Sequence, residues 1–69
     1  MSIKINLDQV LEDRHMQSVD LAKVIGITKA NLSILKTGKA KAIRFSTLER
    51  ICEVLNCQPG DLLSFEPKD

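Results

Sequence analysis

Sixty-nine residues, 43% of them hydrophobic, suffice for one small domain with a modest core, and the 3% aromatic content, from Phe45 and Phe65 alone, makes that core aliphatic. The formal charge is only +1, so the balance of the whole chain points to no polyanion. No apolar run approaches the ~20 residues of a membrane span and the N-terminus lacks a signal-peptide pattern, which sets the expectation of a cytoplasmic protein without a membrane partner.

The first residues, Ser2 to Asn6, alternate polar and apolar, the period of a strand. Leu63 to Glu66 alternate too, before Pro67 stops them. The two stretches can pair and tie the ends together; the alternative is two frayed tails. Helix 1 is expected from Leu7 to Arg14, with Leu7, Val10 and Leu11 on one face and Asn6 as its cap. Asp8 and Arg14 suit the two ends of its dipole. Helix 2 should cover Ser18 to Ile25, where Leu21, Ala22 and Ile25 form an apolar stripe. Gly26 stands where a helix stop tolerates the left-handed conformation. Thr28 then offers a capping oxygen for helix 3, Lys29 to Thr37, whose Leu32 and Leu35 turn inward.

From Gly38 to Arg44 there is neither helical periodicity nor an acid, and Ile43 with Phe45 is expected to pin the end of this loop to the core. Helix 4 reads as the clearest amphipath, with Leu48, Ile51, Cys52 and Leu55 at i, i+3, i+4 and i+7. Ser46 is its expected cap, with Glu49 completing a capping box, and Asn56 its stop. Pro59 suits the first position of a short helix 5, with Asp61 in its first turn and Leu62 and Leu63 facing inward. The expected fold is all-α, a single unit of five short helices spanning residues 1–69, with short terminal β-strands if the ends pair.

The pair of helices over residues 18–37 has the helix-turn-helix layout. Its pattern, Leu21-Ala22-x-x-x-Gly26-Ile27-Thr28-x-x-x-Leu32-Ser33-x-Leu35-x-x-Gly38, resembles the phage repressor and Cro type of helix-turn-helix. The stretch Leu48-x-x-Ile51-Cys52-x-x-Leu55-x-x-x-Pro59-x-Asp61-Leu62-Leu63 resembles the closing helices of that family, so the likeness covers nearly the whole chain. It implies a compact repressor-like domain that binds double-stranded DNA and regulates transcription. By resemblance, Lys29, Ala30, Ser33 and Ile34, on the outer face of helix 3, read the major groove. Helix starts and the loop after the second helix hold the backbone in that family. One departure stands out: many relatives carry Gln near the start of helix 2, where this chain has Ser18 and its Gln17 one step early.

Charge is unevenly spread. Residues 1–27 carry three basic and four acidic side chains, and residues 45–69 carry two and five. Residues 28–44 carry Lys29, Lys36, Lys39, Lys41 and Arg44 with no acid at all. Taken alone, such a run reads as a solvated loop; attached to a helix-turn-helix, it reads as a field for the DNA backbone. The backbone N–H groups near Ser18 and Thr28 sit at helix N-termini, ready phosphate sites. Lys36, Lys39 and Lys41 add charge. Lys29 can donate to guanine, Ser33 can donate or accept, and Ala30 and Ile34 can meet a thymine methyl. Asn31 suits phosphate or adenine, and Ile34 could instead be core. Arg44 suits a narrow minor groove, a phosphate or a salt bridge.

Enzyme chemistry finds no footing. The chain has no Gly-rich phosphate loop and no metal-ligand spacing, and its adjacent acids Glu12 and Asp13 diverge on a helix. Cys52 and Cys57 lack a CxxC spacing; Cys52 falls on the apolar face of helix 4 and reads as a buried free thiol, a disulfide or a metal being the alternatives, and His15 has no second histidine and reads as solvated or capping. No cofactor, metal or small-molecule effector is called for. A protein-interaction module on the same fold is the competing function, favoured by the apolar Ala30 and Ile34 and opposed by the lysines. A symmetric homodimer is expected, because one short helix reads too few base pairs. Leu62, Leu63, Phe65, Ile3 and Ile5 are the candidates for its contact, unless Phe65 packs under its own strand. With no room for an effector domain in 69 residues, repression by occupying a promoter is the simplest mechanism.

Overall fold

The computed structural model describes residues 2–67. Seven elements follow in order: β1 (Ser2–Ile5), α1 (Leu7–Asp13), α2 (Ser18–Ile25), α3 (Lys29–Lys36), α4 (Phe45–Leu55), α5 (Pro59–Leu62) and β2 (Leu63–Glu66). The core is aliphatic: Leu7, Val10, Leu11, Leu21, Ala22, Leu32, Leu35, Leu48, Ile51, Leu55 and Leu62 are buried, and every helix contributes to it. The ends pair, with β1 and β2 antiparallel and Ile3 opposite Phe65, Ile5 opposite Leu63. These four share one face of the ribbon because side chains alternate. Ile5 and Leu63 pack against the core, whereas Ile3 and Phe65 remain 62% and 57% exposed.

Four helices end alike. The backbone turns left-handed at His15, Gly26, Gly38 and Asn56, with φ of 56°, 76°, 77° and 50°. The next N–H then reaches back five residues: Met16 to Leu11, Ile27 to Ala22, Lys39 to Ile34 and Cys57 to Cys52, at 3.0–3.1 Å. This closure satisfies carbonyls that a helix end leaves open. Gly26 and Gly38 take the conformation without steric cost.

Several expected details differ. Helix 1 stops at Asp13 with Arg14 as its C-cap, the Arg14 N–H donating to the Val10 carbonyl at 3.0 Å, but the Arg14 side chain is bound elsewhere. Its Nε donates to the Leu55 carbonyl at 2.7 Å and its Nη2 to the Asn56 carbonyl at 3.2 Å, so it caps α4 instead. A cation there suits the negative end of α4. Asn6 holds the N-cap position of α1 but its side chain donates to Ser64 Oγ at 3.3 Å, because β2 lies within reach. The expected cap of α4 at Ser46 is also displaced: Leu48 N–H bonds the Arg44 carbonyl at 3.0 Å, so the helix begins at Phe45 and Ser46 lies inside its first turn. A capping-box contact occurs at α5 instead, where Asp61 Oδ2 accepts from the Gln58 N–H at 2.9 Å. Phe45 pins nothing, being 81% exposed, while Ile43 packs on the core as expected. Leu63 is half-buried and belongs to β2 rather than helix 5.

Arg14→Ala should lower stability by about 1.5–3 kcal/mol, since hydrogen bonds from a charged donor are worth about that much and one of the carbonyls it serves is partly buried. Urea unfolding followed by circular dichroism measures it; no loss would mean that water replaces the guanidinium at both carbonyls.

Candidate nucleic-acid interface

The turn between α2 and α3 is built from three residues. Gly26 reverses the chain, Ile27 is half-buried against the core, and Thr28 Oγ1 accepts the Asn31 N–H at 3.1 Å. Leu32 and Leu35 then anchor α3 to the core. With that face fixed, Ala30, Ser33, Ile34 and Thr37 lie on the opposite face and all are exposed. Ile34 is 46% exposed, which settles its alternative as a core residue in favour of the surface.

A depression flanks each side of α3. One, of about 160 Å³, is lined by Ser18, Lys29, Leu32, Ser33 and Lys36, so the start of α2 and the polar edge of α3 meet there. The other, of about 420 Å³, lies between α3, the loop and α4, with Asn31, Ile34, Ala42, Arg44 and Thr47 on its walls. Helix α3 therefore stands as a ridge between two recesses.

The expected site residues distribute around this ridge. Lys29, Ala30, Ser33 and Ile34 share its crest and polar edge, and Ser18 joins them across the first recess. Thr28 and Asn31 are exposed at the N-terminus of α3. Lys39 and Lys41 are exposed on the loop and Arg44 at the start of α4. Lys36 is engaged, its Nζ lying 3.1 Å from Asp8 Oδ1. The Asp8 side chain is mostly in solvent, and a surface pair of this kind contributes only ~0–1 kcal/mol, so a phosphate can compete for the ammonium. Among the described residues, Lys29, Lys39, Lys41 and Arg44 form no ion pair.

Two residues escaped the sequence reading. Thr37 belongs to the outer face of α3, and its hydroxyl donates to the Ser33 carbonyl at 2.9 Å and lies 3.3 Å from the Ile34 carbonyl. Its spacing of four from Ser33 and seven from Ala30 was the available signal. Arg50 donates through Nη2 to the Val24 carbonyl at 3.0 Å, which fixes the end of α2 against α4. No sequence pattern announces that contact.

A second helix anchored to the core by one face and exposed on the other, between two recesses and inside an acid-free cationic segment, defines a duplex-reading helix-turn-helix. Residues 6–68 match the Cro/C1-type HTH DNA-binding domain, and the chain belongs to that family. It is 60% identical over 65 residues, 94% of this chain and 77% of the relative, to the uncharacterized HTH-type transcriptional regulator YozG of Bacillus subtilis (strain 168). Its fold is similar to that of the transcriptional regulator VanUg, with a TM-score of 0.78 and 28% identity, covering 97% of this chain and 88% of that one.

Proposed function

We propose that this DNA-binding transcriptional regulator represses by occupation: two copies of the chain, each folded as a single unit, sit on a palindromic operator and exclude other proteins. The observation that carries the reading is the exposed ridge of α3, with no acid from residue 28 to residue 44. Ser18, Thr28, Asn31, Lys36, Lys39 and Lys41 hold phosphates around it, while Lys29, Ala30, Ser33 and Ile34 meet base edges. A two-fold dimer sets its two recognition helices about 34 Å apart, one turn of B-DNA. The role is stoichiometric and involves no catalysis, and it places the protein in the cytoplasm with the DNA.

Selection of bound sequences from a random duplex pool tests the reading. Lys29→Ala and Ile34→Ala should change the selected sequence, each by about 1–3 kcal/mol at one position of each half-site. Uniform weakening of all sequences by Lys29→Ala would make Lys29 a phosphate contact. The exposed Ile34 also favours a second reading, in which α3 docks into a protein groove. A chain without duplex affinity at low salt would turn the assignment that way.

A further inference from the structure

Among the described residues the most exposed large apolar side chain is Phe45, at 81%, and it stands at the first position of α4, where the sequence had suggested a core anchor. Beside it runs a recess of about 670 Å³, lined by Phe45, Leu48 and Cys52 from α4, by Cys57 from the turn that follows and by Pro59 at the start of α5. Phe45, Leu48 and Cys52 fall at i, i+3 and i+7, one continuous stripe along the flank of α4. That flank carries a projecting ring and, next to it, an apolar groove that no described residue fills.

We propose that this flank is the homodimer contact, with the Phe45 ring of each copy seated in the groove of the other. The inference deepens the operator reading and rests on its requirement for two copies. A two-fold interface must be self-complementary, and a knob beside its own hole meets that condition. Charge agrees. Glu49 and Glu53 line the groove, and Arg44, exposed and without an ion pair among the described residues, travels with Phe45 to the partner's rim. Geometry agrees too. None of Lys29, Ala30, Ser33 or Ile34 lines the groove, so covering it leaves both recognition helices free. The rival patch on the ribbon is weaker, because Ile3 and Phe65 lie opposite each other and are partners within one protomer.

Sedimentation of the free protein over micromolar concentrations tests the contact without DNA. Wild type and Phe65→Ala should sediment as dimers, and Phe45→Ala should self-associate at least about thirtyfold more weakly, as removal of a central aromatic anchor does. Because Phe45 makes so little contact in the protomer, its removal should leave the fold intact, which circular dichroism checks. A second readout uses the groove thiols: alkylation of Cys52 and Cys57 by iodoacetamide should slow as wild-type protein is concentrated, and should not in Phe45→Ala. A monomeric wild type, a Phe45→Ala dimer of undiminished affinity, or a Phe65→Ala monomer would overturn the proposal. A Phe45-dependent dimer that binds no duplex would uphold this interface and sink the operator reading instead.

Discussion

Raising monovalent salt from about 50 to 200 mM should weaken duplex binding by roughly 250- to 1,000-fold per protomer. The estimate follows from about four to six neutralised phosphates, which give a log–log slope of about −4 to −5. The sources of that charge are named side chains: Lys29, Lys36, Lys39 and Lys41, with helix N-termini at Ser18 and Thr28. Lys39→Ala and Lys41→Ala should each flatten the slope by about one and weaken all sequences alike, since both cations are exposed on the loop and sit off the ridge. Lys36 should count for less, because release from Asp8 accompanies its transfer to phosphate. Fluorescence anisotropy with a labelled duplex at several salt concentrations gives the slope. A slope near zero would mean that the cationic segment does not face the backbone.

That the charge could be located before the fold was known reflects how local its determinants are. Gly26, Thr28, Leu32 and Leu35 fix the turn, the cap and the inward face of α3 within ten residues, and the structure has them so. Once that face is set, helical geometry alone decides which side chains point away. The strands were visible for a similar reason, as two short alternating stretches, one near each end of the chain. What could not be read are the contacts that depend on distant chain. Arg14 lies 41 residues from the carbonyl it caps, and Asn6 lies 58 residues from Ser64, so nothing near either residue signals its partner. Phe45 misled for the same reason: a large ring near a helix start is ordinarily core, and only the packing of distant chain shows that this one is left outside. His15 in the left-handed region is likewise a product of its context, since the closure from Met16 to Leu11 needs that conformation whatever residue occupies the position.

Leu21→Ala should unfold much of the population at physiological temperature, and so remove DNA binding without touching a DNA contact. Leu21 is 0% exposed, at the centre of the packing among α2, α3 and α4. Truncating a fully buried leucine costs about 3–5 kcal/mol, from lost burial and from the cavity left behind. A domain of this length holds only about 3–10 kcal/mol in total. In thermal unfolding the change should appear as a midpoint lowered by about 15–30 °C. Ile34→Ala is the control on the same motif. With the side chain 46% exposed, it should move stability by no more than about 0.5 kcal/mol, yet shift which duplexes are preferred. The pair separates two ways of losing an operator. The first loses the scaffold that holds α3 in place, and weakens every sequence in proportion to the fraction unfolded. The second keeps the scaffold and changes the readout. Should Ile34→Ala destabilise the fold as much as Leu21→Ala does, the crest of α3 would be part of the core, and its place as a reading surface would fall.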